Sequence, residues 1–212
     1  MSDLIYLASK SASRKQLLQQ ANLPFLIVDQ NASEDVYQVG DSLQQAVTKV
    51  ALAKMAGVQL PTGQIDGELA YVLTADTMGI CGKGEIYGKP KDHADAVRML
   101  RAYREGAETG TAFCLERRVW QVSRNAWTLQ QQVVGYANAT YIFDVPDAML
   151  DLYCKHTMSR LGLSYLDVSG AVAIEDYGLQ FVTNFQGSFT AVMGLPMYEI
   201  RQALMELDFQ FE

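Results

Sequence analysis

LIYLASKSASRKQLLQQANLPFLIV, residues 4–28, decides the fold. Leu4 to Ala8 is a short apolar run, the pattern of a buried strand. The polar turn SKSASR follows, and then the apolar residues Leu17, Leu18 and Ala21. Ser13 with Gln16 three positions on fits a capping box, which predicts a helix starting near Ser13. Phe25 to Val28, after Pro24, reads as a second strand. Strand, helix and strand in this order predict an α/β layout.

Working outward, residues 30–42 (QNASEDVYQVGDS) are polar and acidic and read as a loop. Ser42 is placed to cap a helix whose apolar positions are Leu43, Ala46, Val47, Val50, Ala51, Met55 and Val58. Their spacing is that of an amphipathic helix. Lys54 lies four positions after Val50 and shares the apolar stripe, whereas Lys49 falls on the opposite side. A lysine there requires an anionic partner, because burial opposes an isolated charge. The other reading is a stem lying along the stripe with its ammonium in water.

Leu69 to Thr74 (LAYVLT) is the strongest buried-strand candidate and runs into Ala75-Asp76-Thr77. Met78 to Cys81 and Ile86-Tyr87 flank the glycine-rich turn GKGE as a hairpin. Asp92 is placed to cap a helix carrying Ala96, Val97, Leu100 and Tyr103. Residues 111–143 favour strands and loops. Asp144 and Pro146 open a helix with Met149, Leu152 and Tyr153. Leu179 to Phe185 reads as a strand, and Gly194-Leu195-Pro196 leads into a last helix lined by Ile200, Leu204 and Leu207. With no linker rich enough to divide the chain, residues 1–212 read as one domain, two lobes of one unit meeting near residues 30–40 and 140–170.

The chain has 212 residues, 49% hydrophobic and 19% charged, enough to build a substantial core. Acidic residues outnumber basic ones, 24 to 17, for a net charge of −7. That balance argues against a nucleic-acid coat or a membrane-surface module, both of which need excess positive charge. No run approaches the ~20 apolar residues of a membrane span. The start carries Asp3 and no basic segment before its short apolar run, unlike a secretory signal. Cys81, Cys114 and Cys154 are widely spaced and unpaired in pattern, and the two histidines supply no zinc spacing. Reduced thiols in the cytoplasm are expected.

Several charged residues fall in suggestive places. Asp76 ends an apolar strand, and in open α/β sheets ligands gather beyond the carboxyl ends of strands. SKSASR, residues 9–14, sets three hydroxyls and Arg14 at a strand-to-helix turn, which suits a phosphate, although it lacks the glycines of a P-loop or dinucleotide site. Lys89 reads either as a solvated turn lysine or as a ligand cation. Together the acids Glu34, Asp76 and Glu175 and the cations Arg14, Lys54 and Lys89 fit hydrolysis of a phosphate ester with a divalent metal.

In order along the chain, the motifs resemble the Maf family of nucleoside triphosphate pyrophosphatases. The family's opening LASxSPRRxxLL appears as LASKSASRKQLL, residues 7–18, and its acidic loop matches Asn31 to Glu34. Its LAxxKA helix matches VALAKM, with the lysine at Lys54. Its GADT is TADT at 74–77, and its ilgKPxd is IYGKPKD at 86–92. DKAGAYGIQ corresponds to DVSGAVAIE at 167–175, and EGxxxxVvGLP to FQGSFTAVMGLP at 185–196. No single block is specific, but the ordered set covers nearly the whole chain.

The resemblance implies an elongated, two-lobed α/β unit with a mixed β-sheet and a central cleft, of the kind shared with inosine triphosphatase. It implies hydrolysis of a nucleoside triphosphate to the monophosphate and pyrophosphate, with a magnesium or manganese ion and possible homodimer assembly. It places Asp76 as base or metal-linked acid, Glu34 as a metal-linked acid, Lys54, Lys89 and Arg14 as cations around the triphosphate, and Ser9 and Ser11 in the phosphate loop. The family's proline and first arginine are Ala12 and Ser13 here, and the lysine of DKAG is Val168. Glu175 stands where the family has glutamine, as in the branch linked to 7-methyl-GTP, whereas TADT resembles the branch that hydrolyses dTTP and UTP. The altered cations leave a nucleotide-binding regulatory protein as the alternative.

Overall fold

The computed structural model describes residues 3–33, 35–81, 84–161 and 164–211, and of 158–161 it describes the backbone alone. The opening stretch forms β1 (Ile5–Leu7), α1 (Ala12–Gln20) and β2 (Phe25–Ile27). The cap of α1 is Ser11 rather than Ser13. The Ser11 hydroxyl accepts from the Arg14 N–H, and Ser13 becomes a buried residue inside the helix.

A short antiparallel pair, β3 (Asp29–Gln30) and β4 (Val58–Gln59), brackets α2 (Leu43–Ala56). Ser42 caps α2 in a reciprocal capping box with Gln45. The stripe read from the sequence is buried through Met55. Val58 lies outside it, because the helix stops at Gly57 and Val58 pairs with Gln30. A Cβ on Gly57 would stand 2.8 Å from Asn31 Oδ1 and 2.9 Å from the Ala32 nitrogen. The close passage of the 31–32 backbone therefore requires glycine here.

β5 (Leu69–Cys81) runs on past Asp76, because its far end pairs antiparallel with β6 (Glu85–Tyr87) in the expected hairpin. After α3 (His93–Tyr103), β7 (Ala107–Gln121) and β8 (Ala126–Phe143) are long, and β8 pairs antiparallel with β9 (Val182–Gly187). A 3-10 segment over Asp176–Phe181 occupies the first part of the stretch expected to be strand. α4 (Leu150–Leu161), α5 (Phe189–Met193) and α6 (Met197–Glu206) complete the regular elements. Five-residue α5 escapes sequence reading because it is too short to show a period.

Among the described residues the main sheet is mixed and seven-stranded, in the order β2-β1-β5-β7-β8-β9 with β6 beside β5. β1 is parallel to both β2 and β5. The chain leaves β1 toward β2 on one side, and β5 lies on the other. The carboxyl end of β1 is thus a topological switch point, where α/β sheets gather ligands.

The chain divides into two compact units: Met1–Asp76, Ala112–Tyr136 and Leu195–Glu212 form the first, Thr77–Thr111 and Ala137–Gly194 the second. The divisions at 76/77, 111/112 and 136/137 fall within continuous strands, where no linker marks them. In the first unit the Tyr71 hydroxyl donates to the carbonyls of Leu207 and Asp208, and its ring meets Phe209 edge-on. The second has its own core, rich in aromatic residues: Tyr103, Tyr141, Phe143, Tyr153 and Phe181 pack with Leu100, Leu150 and Ile174. Each such side chain contributes about 1.5–3 kcal/mol by leaving water. No described helix is long and apolar enough to cross a membrane. Cys81, Cys114 and Cys154 are all buried and free.

Candidate active site

In the first unit the loop leaving β1 begins level with the middle of β5: Leu7 pairs with Leu73, and the Ala8 N–H donates to the Leu73 carbonyl at 2.9 Å. Ser9 Oγ accepts from the Ser11 N–H at 3.2 Å and from Arg14 Nη1 at 3.2 Å. The two serines and Arg14 thus form one structured turn at the N-terminus of α1, where the helix dipole favours an anion. Arg14 is 9% exposed, an arginine folded over its own turn rather than a surface cation.

Lys54 answers the question its position raised. Its ammonium donates to Asp76 Oδ1 at 2.7 Å, and the two side chains are 8% and 9% exposed. The pair is a charge-assisted hydrogen bond between the last turn of α2 and the centre of β5. Two residues before Asp76, the Thr74 hydroxyl donates to the Ala51 carbonyl at 2.8 Å and fixes helix and strand in register. This bond of Thr74 gave no signal in sequence, since a threonine in a buried strand needs only a nearby carbonyl. The loop toward Glu34 is anchored where α2 ends: the Asn31 N–H donates to the Gly57 carbonyl at 3.3 Å. Glu34 itself lies outside the described residues.

Lys89 and Glu175 belong to the second unit. Lys89 is exposed on the turn after β6. The carbonyls just before it are taken by the segment leading to Glu175: Ser169 Oγ donates to the Tyr87 carbonyl at 3.0 Å, and the Gly170 N–H donates to that of Gly88 at 2.8 Å. The Tyr153 hydroxyl donates to the Ala171 carbonyl at 2.9 Å and accepts from the Ala173 N–H at 2.8 Å. Burial pushes the Tyr153 and Tyr141 hydroxyls well up, and the charge of nearby Glu175 acts in the same direction. Both stay protonated. Ser169 and Tyr153 were not singled out from sequence, because a serine beside a glycine and a tyrosine on an apolar helix face are ordinary at those places.

Among the described residues no three His, Cys, Asp or Glu side chains come together to hold a metal ion. In the first unit Asp76 lies on β5, three residues beyond Leu73, the residue that pairs with the end of β1.

Fold and charges together define an α/β protein that concentrates a buried lysine–carboxylate pair and an arginine–serine turn around its parallel strands. The chain belongs to the family described as Maf-like protein, whose profile matches residues 4–207. It is similar to the dTTP/UTP pyrophosphatase of Hydrogenovibrio crunogenus, 30% identical over 211 residues and covering 98% of each chain. A dTTP/UTP pyrophosphatase of Xanthomonas campestris pv. campestris is 32% identical over 201 residues, 95% of this chain and 97% of that one. A nucleoside triphosphate pyrophosphatase of Xylella fastidiosa is 31% identical over 208 residues, again 95% and 97%.

Proposed function

We propose that this protein is a hydrolase that splits a nucleoside triphosphate into the monophosphate and pyrophosphate. The observation that carries this is the buried Lys54–Asp76 pair in a Maf-like chain, which keeps a carboxylate fixed in a strand whose parallel neighbour ends in the Arg14–Ser9 turn. Membership in the family and the names of the relatives support the reaction class. The finer choice of dTTP and UTP rests on the relatives so named and on the TADT block.

In this reading the Ser9–Arg14 turn binds phosphate oxygens. Asp76 accepts a proton from the attacking water, and Lys54 orients it by holding Oδ1. The water oxygen bonds to the α-phosphorus, the bond from that phosphorus to the α,β-bridging oxygen breaks, and pyrophosphate leaves with the electron pair. Lys89 neutralises charge on the phosphates, and Glu175 reads the nucleotide. Asp76 and Glu34 are the carboxylates that would hold a magnesium or manganese ion, which is ordinarily bound through one or two carboxylates together with substrate phosphates. When bound it would supply charge neutralisation. The same reading places the enzyme in the cytoplasm and allows its assembly as a homodimer.

The test is pyrophosphate release from dTTP, UTP, 7-methyl-GTP and ATP with magnesium or manganese, beside an Asp76→Ala control. A general base contributes ~10²–10⁴-fold in rate, so the control should lose that much. Turnover no higher than that of the control overturns the enzyme reading. Tight nucleotide binding without turnover would instead assign a regulatory role, which the serine at 13 and the valine at 168 favour.

A further inference from the structure

The turn that carries Lys89 is fastened to the 169–173 segment by a specific set of contacts. Ser169 Oγ holds the Tyr87 carbonyl at 3.0 Å and the Gly170 N–H holds the Gly88 carbonyl at 2.8 Å, so both carbonyls preceding the lysine are engaged. Gly170 has φ of +64°, and a Cβ there would stand 2.3 Å from the Tyr103 hydroxyl. Only glycine allows the segment to approach so closely. Tyr153 fixes the next residues through the Ala171 carbonyl and the Ala173 N–H. On the side-chain end of Tyr87, Arg98 donates to its hydroxyl at 3.2 Å, and the guanidinium sits 5.0 Å over its ring. The backbone that launches an exposed, flexible lysine is therefore held from both sides.

We propose that Ser169 is a positioning residue for Lys89. Among the described residues its hydroxyl makes the side-chain hydrogen bond from the 169–173 segment to the lysine turn, beside the backbone bond from the Gly170 N–H to the Gly88 carbonyl. An ammonium on a four-carbon stem stabilises developing phosphate charge only while its origin is fixed. This inference rests on Lys89 serving as a phosphate cation in the proposed reaction.

A double-mutant cycle tests it. Ser169→Ala should lower kcat/KM by about three- to tenfold, the equivalent of one hydrogen bond, with most of the loss in kcat. Ser169→Thr, which keeps the hydroxyl, should restore it. In a Lys89→Ala background Ser169→Ala should have no further effect, since coupled residues are non-additive. An equal loss in both backgrounds, or no loss in the wild-type background, overturns the inference. A second arm needs no turnover: acetylation of Lys89 by N-hydroxysuccinimide acetate is followed by mass spectrometry as inorganic pyrophosphate is added. Pyrophosphate should protect Lys89, and Ser169→Ala should raise the protecting concentration several-fold. If no nucleotide is hydrolysed but this shift is seen, the hydrolase reading fails and the positioning role stands. If pyrophosphate does not protect Lys89, or protects it equally in Ser169→Ala, the positioning role fails.

Discussion

Replacing Lys54 with methionine probes the centre of the molecule most directly. Methionine keeps the unbranched stem on the apolar stripe of α2 and removes the ammonium 2.7 Å from Asp76 Oδ1. At that distance two unit charges attract by about 6 kcal/mol at an effective dielectric of 20. Burying the charges offsets much of this, since desolvation amounts to several kcal/mol per ion. Removing one partner while the other stays buried then costs about 3–5 kcal/mol. In a chain of this length each kcal/mol lowers the melting temperature by about 2–4 °C, so a fall of roughly 6–20 °C is expected. The assays are thermal unfolding and urea unfolding, both followed by tryptophan fluorescence. Trp120 and Trp127, the two tryptophans of the chain, both lie in the first unit with the ion pair, so the signal reports the unit perturbed. Adding Asp76→Asn should recover much of the loss, with a coupling energy on the order of 2–3 kcal/mol. A Lys54→Met variant within about 1 kcal/mol of wild type, or strictly additive losses in the double variant, would refute the argument that the pair is an energetic unit.

Gly170→Ala should destabilise the second unit by about 1–3 kcal/mol, through overpacking against Tyr103 and a positive φ; unchanged unfolding of that unit by hydrogen exchange would count against it. Asp147, held down by Arg104 and then Arg101, Asp95, held down by the Lys91 N–H and then Arg98, and Asp41, held down by Lys49, all have carboxyls below their ordinary range. The unfolded chain therefore binds more protons in acid. Their contribution is complete above the unfolded value of about 3.9 and is lost as pH falls through the lower folded values. Urea midpoints measured from pH 7 to pH 3 should fall in that acid window, and Lys49→Met should make the fall shallower. Burial, and secondarily Glu116, pushes the Cys114 thiol up to about 12. Because the thiolate is the reactive form, Cys114 should resist a disulfide reagent at pH 8 until the protein is unfolded; rapid labelling of the native chain would contradict the burial.

Much of the local structure was legible because it is written in short-range chemistry. Ser42, Gln45 and the stripe from Leu43 to Met55 specify α2, since a cap and a 3.6-residue period need nothing beyond the helix. The start of α1 was misplaced by two residues because SKSASR offers three serines, and only the fold of the turn decides which hydroxyl meets an N–H. The extent of β5 was underread at Asp76, because its continuation depends on a partner strand. The strand expected from Leu179 begins at Val182, since a preceding 3-10 segment takes up the first residues.

The sequence by itself determined that this is an acidic α/β chain with a Maf-like order of motifs, a lysine on a buried stripe and an aspartate in a buried strand. Those features are periodicity, capping and composition, which act between near neighbours. Only the tertiary structure decided that Lys54 and Asp76, 22 positions apart, are partners, that Ser9 and Arg14 close one turn beside β5, and that Ser169 reaches back across 82 positions to the backbone before Lys89. The physical reason is that a buried charge or a free hydroxyl states a requirement in the sequence, while the strand order and helix packing determine which group is near enough to meet it.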